Sequence, residues 1–339
     1  MFRPILVAGA LVAGMVASAG AQEVNLRLAH FMPAASWQQT DLFEAWGKAV
    51  QEQSKGRIGV RVFPAQTLGK AVAGYDNAVH RVAEVTWTVQ GYTANRFPLS
   101  QIMELPGIFD NAEQGSCAFQ KLYDSGALAD EYKETHVLFV HVHGPGHIHT
   151  KDKAVTRLAD MKGLKIRQPT PVIGRMLRAV GAEPIGMPAP QIYEAAQRGA
   201  IDGFLLPWEA MAGFRVDEVS DQHTEVGVYQ LAFVQTMNKE AYESLAPELK
   251  KAVDDNSGLK WAMLAGRGYD KADVSGKTKT LGSGTMNKLA AGEDAAWAKA
   301  AAEAAEGYIA ELEAKGLPGR KVFEQAKAYA KECKALVGK

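Results

Sequence analysis

Cysteine is nearly missing from this chain: Cys117 and Cys333 are the only two among 339 residues. They form no CxxC pair, which removes the usual redox and cysteine-zinc motifs. Net charge is missing too. Thirty-eight basic residues are balanced by 38 acidic ones, for a formal charge of zero. Such a balance leaves no electrostatic footprint for nucleic acid or a charged membrane surface. Beyond the N-terminus no apolar run reaches the ~20 residues that a membrane helix needs. Signature patterns of common catalysts are absent as well. There is no GxSxG elbow. No GxGxxG follows the first strand, and neither GxxxxGK[ST] nor HExxH occurs. Ser100, Ser116 and Ser125 have no evident His/Asp partners, and no loop carries paired carboxylates. These absences argue against an enzyme, and no cofactor is expected.

What is present begins with an export signal. Arg3 supplies a positive n-region, residues 5–16 an apolar h-region, and Ala19-Gly20-Ala21 a small-x-small cleavage pattern. Residues 1–21 are therefore read as a signal peptide, with cleavage after Ala21. No cysteine follows the h-region to carry a lipid. In an oxidising compartment Cys117 and Cys333 are free to pair, and the sequence leaves open whether they do.

The remaining chain is long enough for two cores. Val24–Ala29 alternates as a strand. Residues 37–55 carry Leu42, Phe43, Trp46 and Val50 at helical spacing and stop at Gly56. Strands follow at 58–64 and 84–89, with a helix at 71–82 between them. A helix at 111–134 precedes an apolar strand at 137–142. This alternation predicts an α/β fold. Gly144-Pro145-Gly146 marks a corner, read as a crossing between lobes. The run 228–237 reads as one buried strand returning to the first lobe. From Ala246 onward helix formers dominate. The expected organisation is lobe I at 22–145 and 232–275, and lobe II at 146–231 and 276–339.

Arg167 is the central site candidate. It ends the short strand Leu164-Lys165-Ile166-Arg167 just before Pro169, which cannot continue a ladder. Ligands of open α/β sheets bind at the carboxyl ends of strands, and a guanidinium there offers a fork suited to carboxylate. The bland alternative is a surface ion pair with Asp160 or Glu183. Phe204 and Trp208 follow the Ile201-Asp202-Gly203 block and are expected to face the same cleft. Either could equally be core. His141, His143, His147 and His149 invite a metal reading, but no carboxylate or cysteine with ligand spacing stands near. His147 is placed in the site as a donor or partial cation.

These residues lie in blocks that resemble one family. The blocks are Leu28-Ala29-His30, Ser54-Lys55-Gly56-Arg57-Ile58, Phe63–Gly69 (FPAQTLG), Glu104–Phe109 (ELPGIF), Asp160–Arg167 (DMKGLKIR), Val180-Gly181-Ala182 and Ile192–Gly203 (IYEAAQRGAIDG). Together they make the chain similar to solute-binding proteins of tripartite ATP-independent periplasmic (TRAP) transporters, the C4-dicarboxylate-binding, DctP-like family. The resemblance implies a periplasmic solute-binding-protein fold, with two α/β lobes, a hinged cleft and a helical C-terminus. It implies that Arg167 grips a substrate carboxylate. It also implies a periplasmic protein that delivers an organic acid to the small and large membrane subunits of a TRAP permease; a monomer is expected.

Two departures narrow the ligand. Sialic-acid binders of that family carry an arginine where this chain has His147, and an asparagine where it has Leu206. Apolar walls thus replace polar grips. The expected ligand is a monocarboxylate with an apolar or aromatic body, walled from the other lobe by Phe31, Trp87 and Tyr92. Gln90 is expected to bond a hydroxyl or keto group. A C4-dicarboxylate or another hydroxy or keto acid, a periplasmic ligand sensor, and a metal-binding protein or enzyme stand as the alternatives.

Overall fold

The computed structural model describes residues 23–338. The expected signal peptide and its cleavage site lie outside the described residues. In chain order the strands are β1 Val24–Ala29, β2 Ile58–Phe63, β3 Val85–Val89, β4 Thr135–Val142, β5 Gly146–Thr150, β6 Lys165–Gln168, β7 Glu183–Gly186, β8 Gly203–Leu206, β9 Gln222–Tyr229, β10 Ala232–Asn238 and β11 Thr285–Asn287. They form two sheets, ordered β2-β1-β3-β10-β4 and β11-β9-β5-β8-β6-β7. Each sheet centres one lobe.

The alternation read in the first strand holds. Leu26 and Leu28 are buried, while Arg27 turns to the other face and pairs with Glu84 at 2.9 Å. In the first sheet β1 lies parallel to β2 and β3, and β10 runs antiparallel between β3 and β4. In the second sheet β6 is parallel to β7 and β8, and β5 is antiparallel to β8 and β9. The chain crosses between the sheets at Gly144-Pro145 and returns between β9 and β10. The crossings join the two sheets so that their strand carboxyl edges meet at one cleft.

The 228–237 run is therefore two strands and not one. Its turn, Gln230-Leu231, is itself buried. No glycine or proline marks it, so hydropathy runs through the corner without a break. The 111–134 helix is also shorter than expected. It spans Ala112–Asp124, and a short 3-10 turn follows at Ala129–Tyr132. Between them Gly126 takes φ +81, where a side chain is disfavoured.

The helix Leu259–Thr280 spans both lobes. Asp270 on it accepts the free N–H groups of Ala112 and Glu113, at 2.8 and 2.9 Å, at the start of a first-lobe helix. About one turn later Asp273 accepts Glu209 N–H in the second lobe at 2.8 Å.

The C-terminus divides differently from the expected allotment of 276–339 to lobe II. Helix Glu293–Ala314 packs on Pro171–Ala179 of the second lobe, but helix Gly319–Cys333 packs on Ala112–Asp124 of the first. Cys333 is there disulfide-bonded to Cys117. An amphipathic Ala/Glu/Lys helix shows which of its faces is apolar, and nothing in its pattern names the surface it will cover.

Candidate ligand-binding site

Where the two carboxyl edges meet, a cavity lies between the lobes. The first sheet contributes Phe31 after β1, Trp87 and Val89 on β3, Tyr92 beyond it, and Phe233 at the start of β10. The second contributes Arg167 on β6, Ala189 after β7, and Leu206 and Pro207 where β8 ends. Aromatic rings build the first-lobe wall. Phe31 lies 4.9 Å from Trp87 and 5.5 Å from Tyr92, centroid to centroid, and Trp87 stacks on Phe233 at 4.8 Å.

Arg167 is wholly buried, 0% exposed. Its Nε–H donates to Met187 O at 2.9 Å, Nη1 to Leu205 O at 2.9 Å, and Nη2 to Tyr92 Oη at 3.2 Å. All three acceptors are neutral, and no aspartate or glutamate among the described residues pairs with it. The two carbonyls fix the plane of the guanidinium. Of its five N–H groups, one on Nη1 and one on Nη2 keep no protein partner, which is the spacing of a carboxylate fork. Tyr92 Oη also accepts Ala189 N–H at 3.0 Å. With both lone pairs engaged, its own proton is left to donate.

A buried cation without a counter-charge is costly. The carboxylate that shares the cavity does not supply one. Burial first, and Asp273 second, push the Glu209 carboxyl up to about 8, so it is largely neutral at pH 7. Its Oε2 instead accepts Gln38 Nε2–H at 2.9 Å and Trp37 Nε1–H at 3.3 Å from the other lobe. An anion brought by a ligand is what the site lacks.

Five of the expected residues therefore meet at one cavity: Arg167, Leu206, Phe31, Trp87 and Tyr92. Four do not line it. Gln90 is buried and donates to Tyr132 Oη at 2.7 Å. Trp87 and Val89 face the cavity, so the two-residue strand period turns Gln90 away. Phe204 lies too deep on β8 and packs against His149. Trp208 follows Pro207 but turns back, donating from Nε1 to Glu225 at 2.9 Å. His147 sits beside Trp208, 5.6 Å between ring centres, and accepts Gly227 N–H on Nδ1 at 3.3 Å. Burial drops its pKa to about 4, so it is no partial cation at neutral pH.

Sequence reasoning missed Glu209, His143, Tyr269 and Phe233 as cavity residues. The sequence favours core or pocket histidines over metal ligands for the group that includes His143, but singles out only His147 for the site. Among the described residues no three His, Cys, Asp or Glu side chains are grouped to hold a metal ion.

Comparison with known proteins settles the family. The model for "bacterial extracellular solute-binding protein, family 7" matches residues 28–315. The chain belongs to that family. A TRAP solute-binding protein from Rhodoferax ferrireducens, solved with copurified benzoate, is 36% identical and superposes with a TM-score of 0.89, covering 93% of this chain and 99% of that one. A marine metagenome TRAP protein specific for aromatic acids, solved with 3-hydroxybenzoate, is 36% identical with a TM-score of 0.88 over 92% and 99% of the two chains. A third, from Bordetella bronchiseptica with bound (R)- and (S)-mandelate, is 26% identical with a TM-score of 0.84 over 91% and 99%. The expected two-lobed fold is the fold of this family, whose members are solute receptors.

Proposed function

We propose that this protein is an extracytoplasmic receptor that binds a monocarboxylate with an aromatic body and hands it, unchanged, to a TRAP permease of small and large membrane subunits. One observation carries the reading: a fully buried guanidinium with two unpaired N–H groups and no counter-ion, walled by aromatic rings. A second permanent cation, which a dicarboxylate would need, is not among the lining residues. A sugar acid would leave hydroxyls unpaired against Phe31, Trp87 and Phe233, each at a cost of about 1–3 kcal/mol. The similar proteins that hold benzoate, 3-hydroxybenzoate and mandelate support the same class. Export by residues 1–21, a periplasmic location and a monomeric state complete the proposal.

Binding follows from the geometry. The carboxylate takes the free N–H of Nη1 and of Nη2 and the proton of Tyr92. The ring enters the aromatic wall and water leaves. Low polarity then strengthens the ion pair, and because the ligand touches both lobes it favours the closed form. Calorimetry with benzoate tests this. Arg167→Ala should abolish detectable binding while circular dichroism stays that of the wild type. Wild-type affinity in a folded Arg167→Ala protein would refute the assignment.

A further inference from the structure

His143 faces the same cavity with its hydrogen bonding incomplete. The ring follows β4 and is 2% exposed. Its Nδ1 bonds the backbone oxygen of Gly144, and a carbonyl can only accept, so Nδ1 carries the proton. Burial pulls the pKa down to about 3, and the charge on Arg167 adds to that shift, so the ring is neutral. Nε2 is then a bare lone pair, and it has no hydrogen-bond partner. Tyr229 packs its ring edgewise on the imidazole at 5.6 Å and Phe233 lies at 5.7 Å, so the acceptor is held in place by aromatic contacts. A buried acceptor left empty is unusual enough to ask what donates to it.

The cavity is thus chemically asymmetric. Arg167 and Tyr92 offer it only donors, and the Glu209 carboxyl, largely neutral, is held across the seam by Trp37 and Gln38. His143 offers only an acceptor. The Tyr269 hydroxyl, which also lines the cavity without a partner, can serve either way. It belongs to a ring 6.4 Å from that of His143. A ligand that satisfies all of them carries an anionic oxygen at one place and an N–H or O–H donor at another. A cationic amine would set a second positive charge in the same buried space as Arg167, so the donor is a neutral one, of which a hydroxyl on the ring is the simplest.

Resting on the carboxylate-receptor reading above, we propose that His143 Nε2 accepts a hydrogen bond from a hydroxyl on the body of the bound acid, and that the receptor selects hydroxylated aromatic monocarboxylates over their unsubstituted parents. Filling the empty acceptor should favour the hydroxylated acid roughly tenfold to a hundredfold.

The test is calorimetry with benzoate and its three monohydroxy isomers on the full mature chain. In the wild type at least one isomer should bind roughly tenfold or more tightly than benzoate. In His143→Phe that ratio should collapse toward one, and in His143→Gln, whose amide oxygen can still accept, part of it should return. A wild type that binds benzoate as tightly as every isomer overturns the proposal, with water then filling Nε2. So does a His143→Phe protein that keeps the full ratio. The wild-type ratio needs no variant to fold. If no acid of the set binds the wild type, the aromatic-acid reading itself fails and this proposal falls with it. If benzoate binds and the hydroxyl adds nothing, this proposal alone fails.

Discussion

At the level of single residues the account turns on the fork of Arg167. Two of its N–H groups wait for an anion while two backbone carbonyls and the Tyr92 hydroxyl hold the other three. A lysine there would be a point charge without the fork. Arg167→Lys should therefore weaken benzoate binding by about 2 kcal/mol or more, roughly thirtyfold, with little change in the Tm of the unliganded protein. Equal affinity would show that charge alone suffices. This arginine was legible in the sequence because a strand ending at a proline puts its last side chains at the sheet edge. Leu206 and Phe31 were legible from the family blocks beside them, whereas Trp87 and Tyr92 lie in no such block and were placed only as a wall from the opposite lobe. His147 and Gln90 were misplaced for one shared reason. Position along the chain was known, but which way a strand faces depends on its register, and a shift of one residue reverses it. Glu209, His143 and Tyr269 could not be found by pattern at all, because three segments far apart in sequence bring them to one cavity.

At the level of elements, the seam between the lobes is where small changes should tell. Gly91 follows β3, and a Cβ built there would lie 2.4 Å from Thr170 Cγ2 across the cleft. Gly91→Ala should disfavour closure and weaken ligand binding by about 1–3 kcal/mol, since the clash with Thr170 exists only when the lobes meet. Titration calorimetry checks this, and unchanged affinity would mean that the two segments separate in the bound form. Two buried carboxyls also cross the seam. Glu104 accepts Thr170 Oγ1–H from the opposite lobe, as Glu209 accepts from Trp37 and Gln38. Burial pushes each to about 8 from an ordinary value of 4.5. Asp273, facing Glu209, is pushed up to about 7 by burial. If opening returns these groups to water, closure takes up protons. The folded-and-closed pKa is the raised one, so closed-state stability is fully present below the ordinary value and is lost as pH rises through about 8. Affinity should fall between about pH 4.5 and about pH 8, by at most tenfold per pH unit for each group. Glu209→Gln should flatten the slope, and a flat wild-type profile would show that the carboxyls stay dry in the open form.

For the whole molecule, the disulfide fastens the last helix to the first lobe while the helix before it packs on the second. The bond links residues 216 positions apart, so it restricts a large part of the unfolded chain. Replacing both cysteines, Cys117→Ala with Cys333→Ala, should cost about 2–4 kcal/mol, seen as a Tm loss of roughly 3–6 °C. A Tm within error of the wild type would mean that packing alone holds the helix. The two-lobed α/β plan was legible from strand and helix order, whereas the final helix was placed on the wrong lobe. Order along the chain limits which strands can pair. The docking of a terminal amphipathic helix is decided by surfaces that other segments supply.

The central claim is that a ligand carboxylate completes the buried Arg167. A crystal structure of the protein with benzoate tests it most directly. The account predicts both carboxylate oxygens within about 3 Å of Nη1 and Nη2, one of them also accepting from Tyr92 Oη, with the ring against Phe31 and Trp87. Benzoate bound with its carboxylate away from Arg167, or outside the gap between the lobes, would contradict it.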